Sequence, residues 1–151
     1  MVRNYEYIVL IDTSVVWHLA FKTPLEELVR HNVLFLARLC KITYTKFNEE
    51  DVIINDKLDD EAKDKLLSAY RSIATRIDVD VSIERVRGKY GREIKNLGLH
   101  DVLIAVAAAR LNAFLFTSDF GQAHFFIEKF DKKGRRLIYI PLHTLGVHIG
   151  G

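Results

Sequence analysis

The apolar positions of the chain fall into short unbroken runs, separated by longer stretches with helical spacing. The first run, Tyr7–Ile11 in YIVLID, ends on Asp12. AFLFT at 113–117 ends just before Ser118 and Asp119, and RLIYI at 136–140 stands before Pro141. KITYT at 41–45 alternates and is rich in β-formers, which predicts a short strand. Runs of this length without in–out alternation predict strands buried on both faces.

The intervening stretches predict helices. In KTPLEEL, Thr23 can cap, Pro24 suits the first helical position and Glu26 stands where a capping box needs it, so a helix is expected from Pro24 to about Cys40. DDEAKDKLLSAYRSIATRI reads as an amphipathic helix capped near Asp59, and another is expected from Ser82 to about Asn96, before NLGL. HDVLIAVAAARLN at 100–112 is apolar nearly all round and alanine-rich, the mark of a helix packed centrally. Buried strands alternating with helices imply an α/β fold, a three-layer α/β/α sandwich with a central, mainly parallel sheet. No Pro- or Gly-rich linker and no repeat interrupts 1–151, so one domain is expected.

Composition narrows the class without choosing a function. The 151 residues suffice to bury about two-thirds of the unfolded chain's surface. A formal net charge of +2 argues neither for nor against nucleic acid. The single cysteine, Cys40, has no partner within the chain and is expected to be inert inside the second helix. No apolar run is long enough for a signal peptide or a membrane span, so a cytoplasmic protein is expected.

Candidate chemistry lies at the strand ends. In open parallel sheets ligands sit at the carboxyl edge. Asp12 closes the first strand, Asp119 follows AFLFT, and Asp101 falls in the first turn of the apolar helix, where a carboxylate is favoured. FNEED offers a fourth acid from Glu49, Glu50 and Asp51. Singly, Asp12 and Asp101 read equally well as helix caps, Asp119 as a turn residue and the acidic run as a solvated face. Convergence on one edge is what argues otherwise. Carboxylates gathered without arginine partners repel, and an all-oxygen set relieves that with Mg²⁺ or Mn²⁺ rather than Zn²⁺. His143 and His148 in the tail PLHTLGVHIGG are not spaced as a zinc pair and read as surface or core residues.

VLIDTSVVW, with LGLHDVLIAVAAARLNAFLFTSD, resembles the PIN domain, the fold of the VapC-type toxin ribonucleases. The resemblance spans most of the chain and is most specific over 97–119. It implies that Asp12, Asp101 and Asp119 are catalytic metal ligands. Glu49, two residues after Phe47, matches the family's fourth acid, with Glu50 as the rival. It also implies metal-assisted hydrolysis of RNA phosphodiester bonds, with a small antitoxin and a homodimer as possible partners. Thr13, Ser14 and Thr117 are placed to orient the carboxylates or bound waters by hydrogen bonds. His100 beside Asp101 departs from the pattern and reads as a cap or an exposed residue.

An RNA substrate needs cations near the acids. ERVRGKYGREIK supplies Arg85, Arg87, Lys89 and Arg92, with Tyr90 available for base stacking; KKGRR at 132–136 adds more. Solvated helix faces are the alternative for both. A dinucleotide-binding enzyme is excluded by the absence of glycine in DTSVVW. The remaining rival is a non-catalytic PIN-like module that binds RNA or protein.

Overall fold

The computed structural model of the protein describes residues 7–141; His143 and His148 lie outside them. Five strands form one sheet in the order β3-β2-β1-β4-β5, every pair parallel. They are β1 (Tyr7–Ile11), β2 (Cys40–Tyr44), β3 (Thr75–Arg76), β4 (Phe114–Thr117) and β5 (Leu137–Tyr139). The helices are α1 (Thr13–Ala20), α2 (Glu26–Leu39), α3 (Lys46–Ile53), α4 (Asp60–Ile73), α5 (Ile83–Lys89), α6 (Gly91–Leu97), α7 (Leu99–Arg110) and α8 (Phe120–Phe130). The architecture is the expected three-layer α/β/α sandwich.

Strand side chains alternate between the two faces, and each face has its own core. Val9 and Ile11 pack with Val15 and Val16 of α1, Val29 and Val33 of α2, and Leu66 and Tyr70 of α4. Leu10 and Leu115 face the other way, onto Val86, Leu103, Ala107, Phe125 and Phe126. Helix α3 bridges both layers, giving Phe47 to the second core and Val52 to the first. Seven consecutive residues of α7, Val102–Ala108, are buried, as its all-round apolar sequence demands. Each large aliphatic side chain buried this way contributes about 1.5–3 kcal/mol.

The sequence expectations shift in three places. Helix α2 begins at Glu26, two residues late: Thr23 Oγ1 accepts from the Leu25 N–H in a turn, and Glu26 pairs with Arg30 at 2.8 Å instead of closing a capping box. It ends at Leu39, so Cys40 is the buried first residue of β2 rather than part of the helix. The helix expected over Ser82–Asn96 breaks at Tyr90 into α5 and α6. There the backbone leaves the helical region, and the Tyr90 ring is buried edge-on against Phe125, 5.3 Å between centroids.

Two glycines bring α6, α7 and α8 together. Gly98 joins α6 to α7 with φ +101°, a conformation open to glycine and strained for other residues. Gly121 lies in the first turn of α8, where a Cβ would stand 2.5 Å from Leu97 Cδ2. The starts of α7 and α8 are thereby held close, at the carboxyl edge of the sheet. No helix among the described residues is long and apolar enough to cross a membrane.

Candidate active site

Strands β1 and β4 are neighbours, and each ends on an aspartate that starts a helix. The Asp12 N–H donates to the Phe116 carbonyl at 2.8 Å, which ties the two strand ends together. Asp12 Oδ2 accepts from the Ser14 N–H at 3.0 Å, capping α1. Asp119 Oδ1 accepts from the Gln122 N–H at 2.9 Å, capping α8. Both are therefore helix caps, and both also line a cavity of about 290 Å³. The two uses coexist. Asp101 lines the same cavity from the first turn of α7, but Gly98, not Asp101, caps that helix.

The fourth acid in the cavity is Asp51. Glu49 turns away, its Oε1 accepting from Arg76 Nε at 2.7 Å, and Glu50 faces His100 at 3.7 Å. The assignment of Glu49 as a ligand is thus corrected by its position on α3. Thr45 caps that helix in a capping box with Asn48, which fixes the phase of its faces. Phe47, Asn48 and Val52 are buried, and Asp51 falls on their stripe, four residues after Phe47 and three after Asn48. Glu49 and Glu50 fall outside it. That periodicity was present in TKFNEEDV, and it reads clearly only once the segment is seen to be helical.

The hydroxyls of Thr13, Ser14 and Thr117 lie in a hydrogen-bond network around the acids. Thr117 Oγ1 donates to Gln122 Oε1 at 2.7 Å and accepts from the Asp119 N–H at 3.0 Å. With its proton spent, it accepts from Ser14 Oγ at 3.2 Å, and Ser14 Oγ in turn accepts from the Ser118 N–H at 2.9 Å. On the other flank, Asn48 Nδ2 donates to the Tyr70 hydroxyl at 3.1 Å, leaving that hydroxyl to donate to Thr13 Oγ1 at 2.6 Å. Thr13 then donates to the Asp51 carboxylate.

Gln122 is the residue that sequence reading missed. Fully buried, it donates through Nε2 to Asp12 Oδ1 at 3.1 Å and to the Asp101 carbonyl at 3.0 Å, while Oε1 takes the Thr117 proton. One amide therefore links β1, β4, α7 and α8. Nothing but its position, three residues after Asp119 at the start of a helix, signals this in the sequence.

Among the described residues no lysine or arginine lines the cavity, and the carboxyl groups respond. Burial raises Asp12 to about 6, with the Asp51 charge adding and the Ser14 and Gln122 bonds opposing. Burial, then the charges of Asp12, Asp119 and Asp51, raises Asp101 to about 8. Asp51 is also raised, chiefly by burial, against the Thr13 bond and the nearby His100. The group cannot hold all its negative charge unaided; protons or a cation must balance it. Among the described residues no three acids or histidines are gathered closely enough to ligate one ion as they stand. The donor chemistry, carboxylate oxygens only, suits a hard dication.

The expected RNA-binding cations divide. Arg85 and Lys89 line a groove of about 710 Å³ together with Arg110, whose Nη2 donates to the Asp80 carbonyl at 3.0 Å. Arg87 and Arg92 are exposed but do not line it. Asp101 lies in the first turn of α7 and Arg110 ends it, so Arg110 stands about 13 Å from Asp101 along that helix. Tyr90 is too buried to stack on a base.

Comparison with solved structures matches this arrangement of strands and helices. A chain of VapBC-1 from nontypeable Haemophilus influenzae superposes with a TM-score of 0.59 at 17% identity, over 89% of this chain and 97% of that one. DNA-bound VapBC from Salmonella typhimurium gives 0.58 at 15%, over 88% and 98%. VapBC2 from Rickettsia felis, bound to a promoter DNA fragment, gives 0.56 at 21%, over 89% and 98%. The fold is that of a PIN domain. No family model and no curated protein matches the sequence, so the likeness to VapBC chains is one of fold. In this fold, Asp12, Asp51, Asp101 and Asp119 line one cavity at the carboxyl edge of the sheet.

Proposed function

We propose that this PIN-domain protein is a Mg²⁺- or Mn²⁺-dependent endoribonuclease that hydrolyses RNA phosphodiester bonds, and that it is the toxin of a toxin–antitoxin pair. The observation that carries the reading is the set of four carboxylates lining one cavity with, among the described residues, no cationic side chain in its wall. Asp12, Asp51, Asp101 and Asp119 are the residues that would hold the ion, drawing closer around it than they stand without it. When bound, such an ion lowers the pKa of a coordinated water and offsets charge on the phosphate oxygens. Gln122 and Thr117 fix the Asp12 and Asp119 side of the cavity, and Thr13 fixes Asp51. Arg85 and Lys89 take phosphates of the strand away from the cut.

An antitoxin partner suits the surface between α1, α2 and α4, where Leu34 stands 60% exposed beside a groove lined by Leu19, Phe21 and Ile73. A homodimer would use the remaining exposed face of α2, with Phe35 and Leu39.

The deciding experiment is cleavage of a labelled, largely single-stranded RNA in Mg²⁺, in Mn²⁺ and in EDTA, with wild type and Asp101→Asn purified in parallel. Metal-dependent cutting that disappears in the variant supports the nuclease. Equal signals from both proteins, or binding without cutting, favour the non-catalytic module. The same assay separates the two candidate acids on α3. Asp51→Asn should lose cleavage at least 100-fold, the scale on which catalytic electrostatics acts. Glu49→Gln, which removes only a partly exposed pair with Arg76, should stay within about threefold.

A further inference from the structure

Two aromatic side chains flank the acids without being buried. Trp17, on α1 one turn after Thr13, lines the acidic cavity and remains 39% exposed. Its ring is braced by Phe21, with centroids 4.5 Å apart. Phe120 follows Asp119 directly as the first residue of α8 and is 72% exposed, stacked only on the His124 imidazole. The fold gains little from the Phe120 ring in this state, since most of its surface stays in water. Both stand at the carboxyl edge, one on the helix that Asp12 caps and one on the helix that Asp119 caps.

We propose that Trp17 and Phe120 are base-stacking platforms, which select an unpaired RNA strand by the bases on either side of the phosphate held at the acids. This rests on the ribonuclease reading for the identity of the strand. Stacking requires bases free of a partner helix, and the cavity that Trp17 lines carries four carboxylates, which recruit a phosphodiester through a bound cation and repel it otherwise. The aromatic faces supply the attraction that the acids cannot. Stacking is tolerant of base identity, so these residues select strandedness rather than sequence.

Trp17 is the only tryptophan in the chain, so its fluorescence reports directly on the site. The full-length protein in Ca²⁺, a hard dication that takes oxygen ligands but activates water less than Mg²⁺, is titrated with a single-stranded RNA of about twelve nucleotides and with the same sequence in a duplex. Quenching of Trp17 by the single strand and not by the duplex is expected. Phe120→Leu should weaken single-strand binding about tenfold, as should Trp17→Leu measured by anisotropy of a labelled RNA. Trp17→Tyr should restore most of the affinity, which a purely structural role of Trp17 would not require. In cleavage assays the two leucine variants should raise KM and leave kcat within about twofold.

Unchanged affinity in both leucine variants, or equal quenching by duplex, overturns the proposal even if the protein is a metal-dependent nuclease. Quenching and weakened binding in a protein that never cleaves RNA would sustain the stacking site and remove the nuclease reading.

Discussion

Asp101→Asn should make the metal-free protein more stable while removing its activity. The folded-state pKa of Asp101 is raised from 3.8 to about 8, so across pH 4–8 the native state holds a proton that the unfolded chain releases. Stability therefore falls as pH rises through that window, and the cost is complete above about pH 8. Asn carries no such cost. The gain is nil near pH 4 and grows to about 2 kcal/mol at pH 8, a figure reduced because Asp101 is partly open to solvent. That corresponds to roughly 4–8 °C in melting temperature for a domain of this size. Mn²⁺ should raise the melting temperature of wild type more at pH 8 than at pH 5.5, and should barely move the variant. A variant that melts below wild type at pH 8 would mean that Asp101 contributes more as a structural acceptor than it costs as a charge.

Gln122→Ala should have the largest effect on stability of any substitution at the site. It leaves the Asp101 carbonyl and Thr117 Oγ1 without the amide that satisfies both. It also removes the donor on Asp12 Oδ1 and opens a buried gap. Unsatisfied buried polar atoms and the gap together are worth about 3 kcal/mol, seen as a drop of roughly 6–12 °C. Gln122→Glu is the informative companion. It preserves volume and can still accept from Thr117, but it places another carboxyl group against Asp12. Its stability should fall with rising pH more steeply than that of wild type, while the alanine variant loses stability at all pH values. Thermal melts at pH 5 and pH 8 separate the two.

The strands that mark the sheet centre were legible because burial on both faces leaves an unbroken apolar run, as in Tyr7–Ile11 and Phe114–Thr117. The central helix α7 was legible for the same reason. Asp12, Asp101 and Asp119 followed from strand ends and a helix start. Strand β3 was not legible, since two exposed residues, Thr75 and Arg76, carry no pattern. The break at Tyr90 was hidden because Val86, Tyr90 and Ile94 keep helical spacing across it. Asp51 was obscured by two neighbouring glutamates of the same charge; only the helical phase set by Phe47 and Asn48 separates them. Gln122 has no signature, because its role depends on four elements that meet only in the folded chain.

The central pairing of β1 with β4 joins Val9 to Phe114, Leu10 to Leu115 and Ile11 to Phe116. More than a hundred residues of chain separate the members of each pair, so the contact is entropically slow to form and arises late. Asp12 and Asp51 are supplied early in synthesis, Asp101 and Asp119 near its end. A ribosome-bound fragment ending before β4 carries three of the four acids, Asp12, Asp51 and Asp101, but lacks the strand that pairs with β1 and the helix start that brings Asp119. The four acids therefore stand together at one edge only after β4 and α8 have been made and β4 has inserted beside β1.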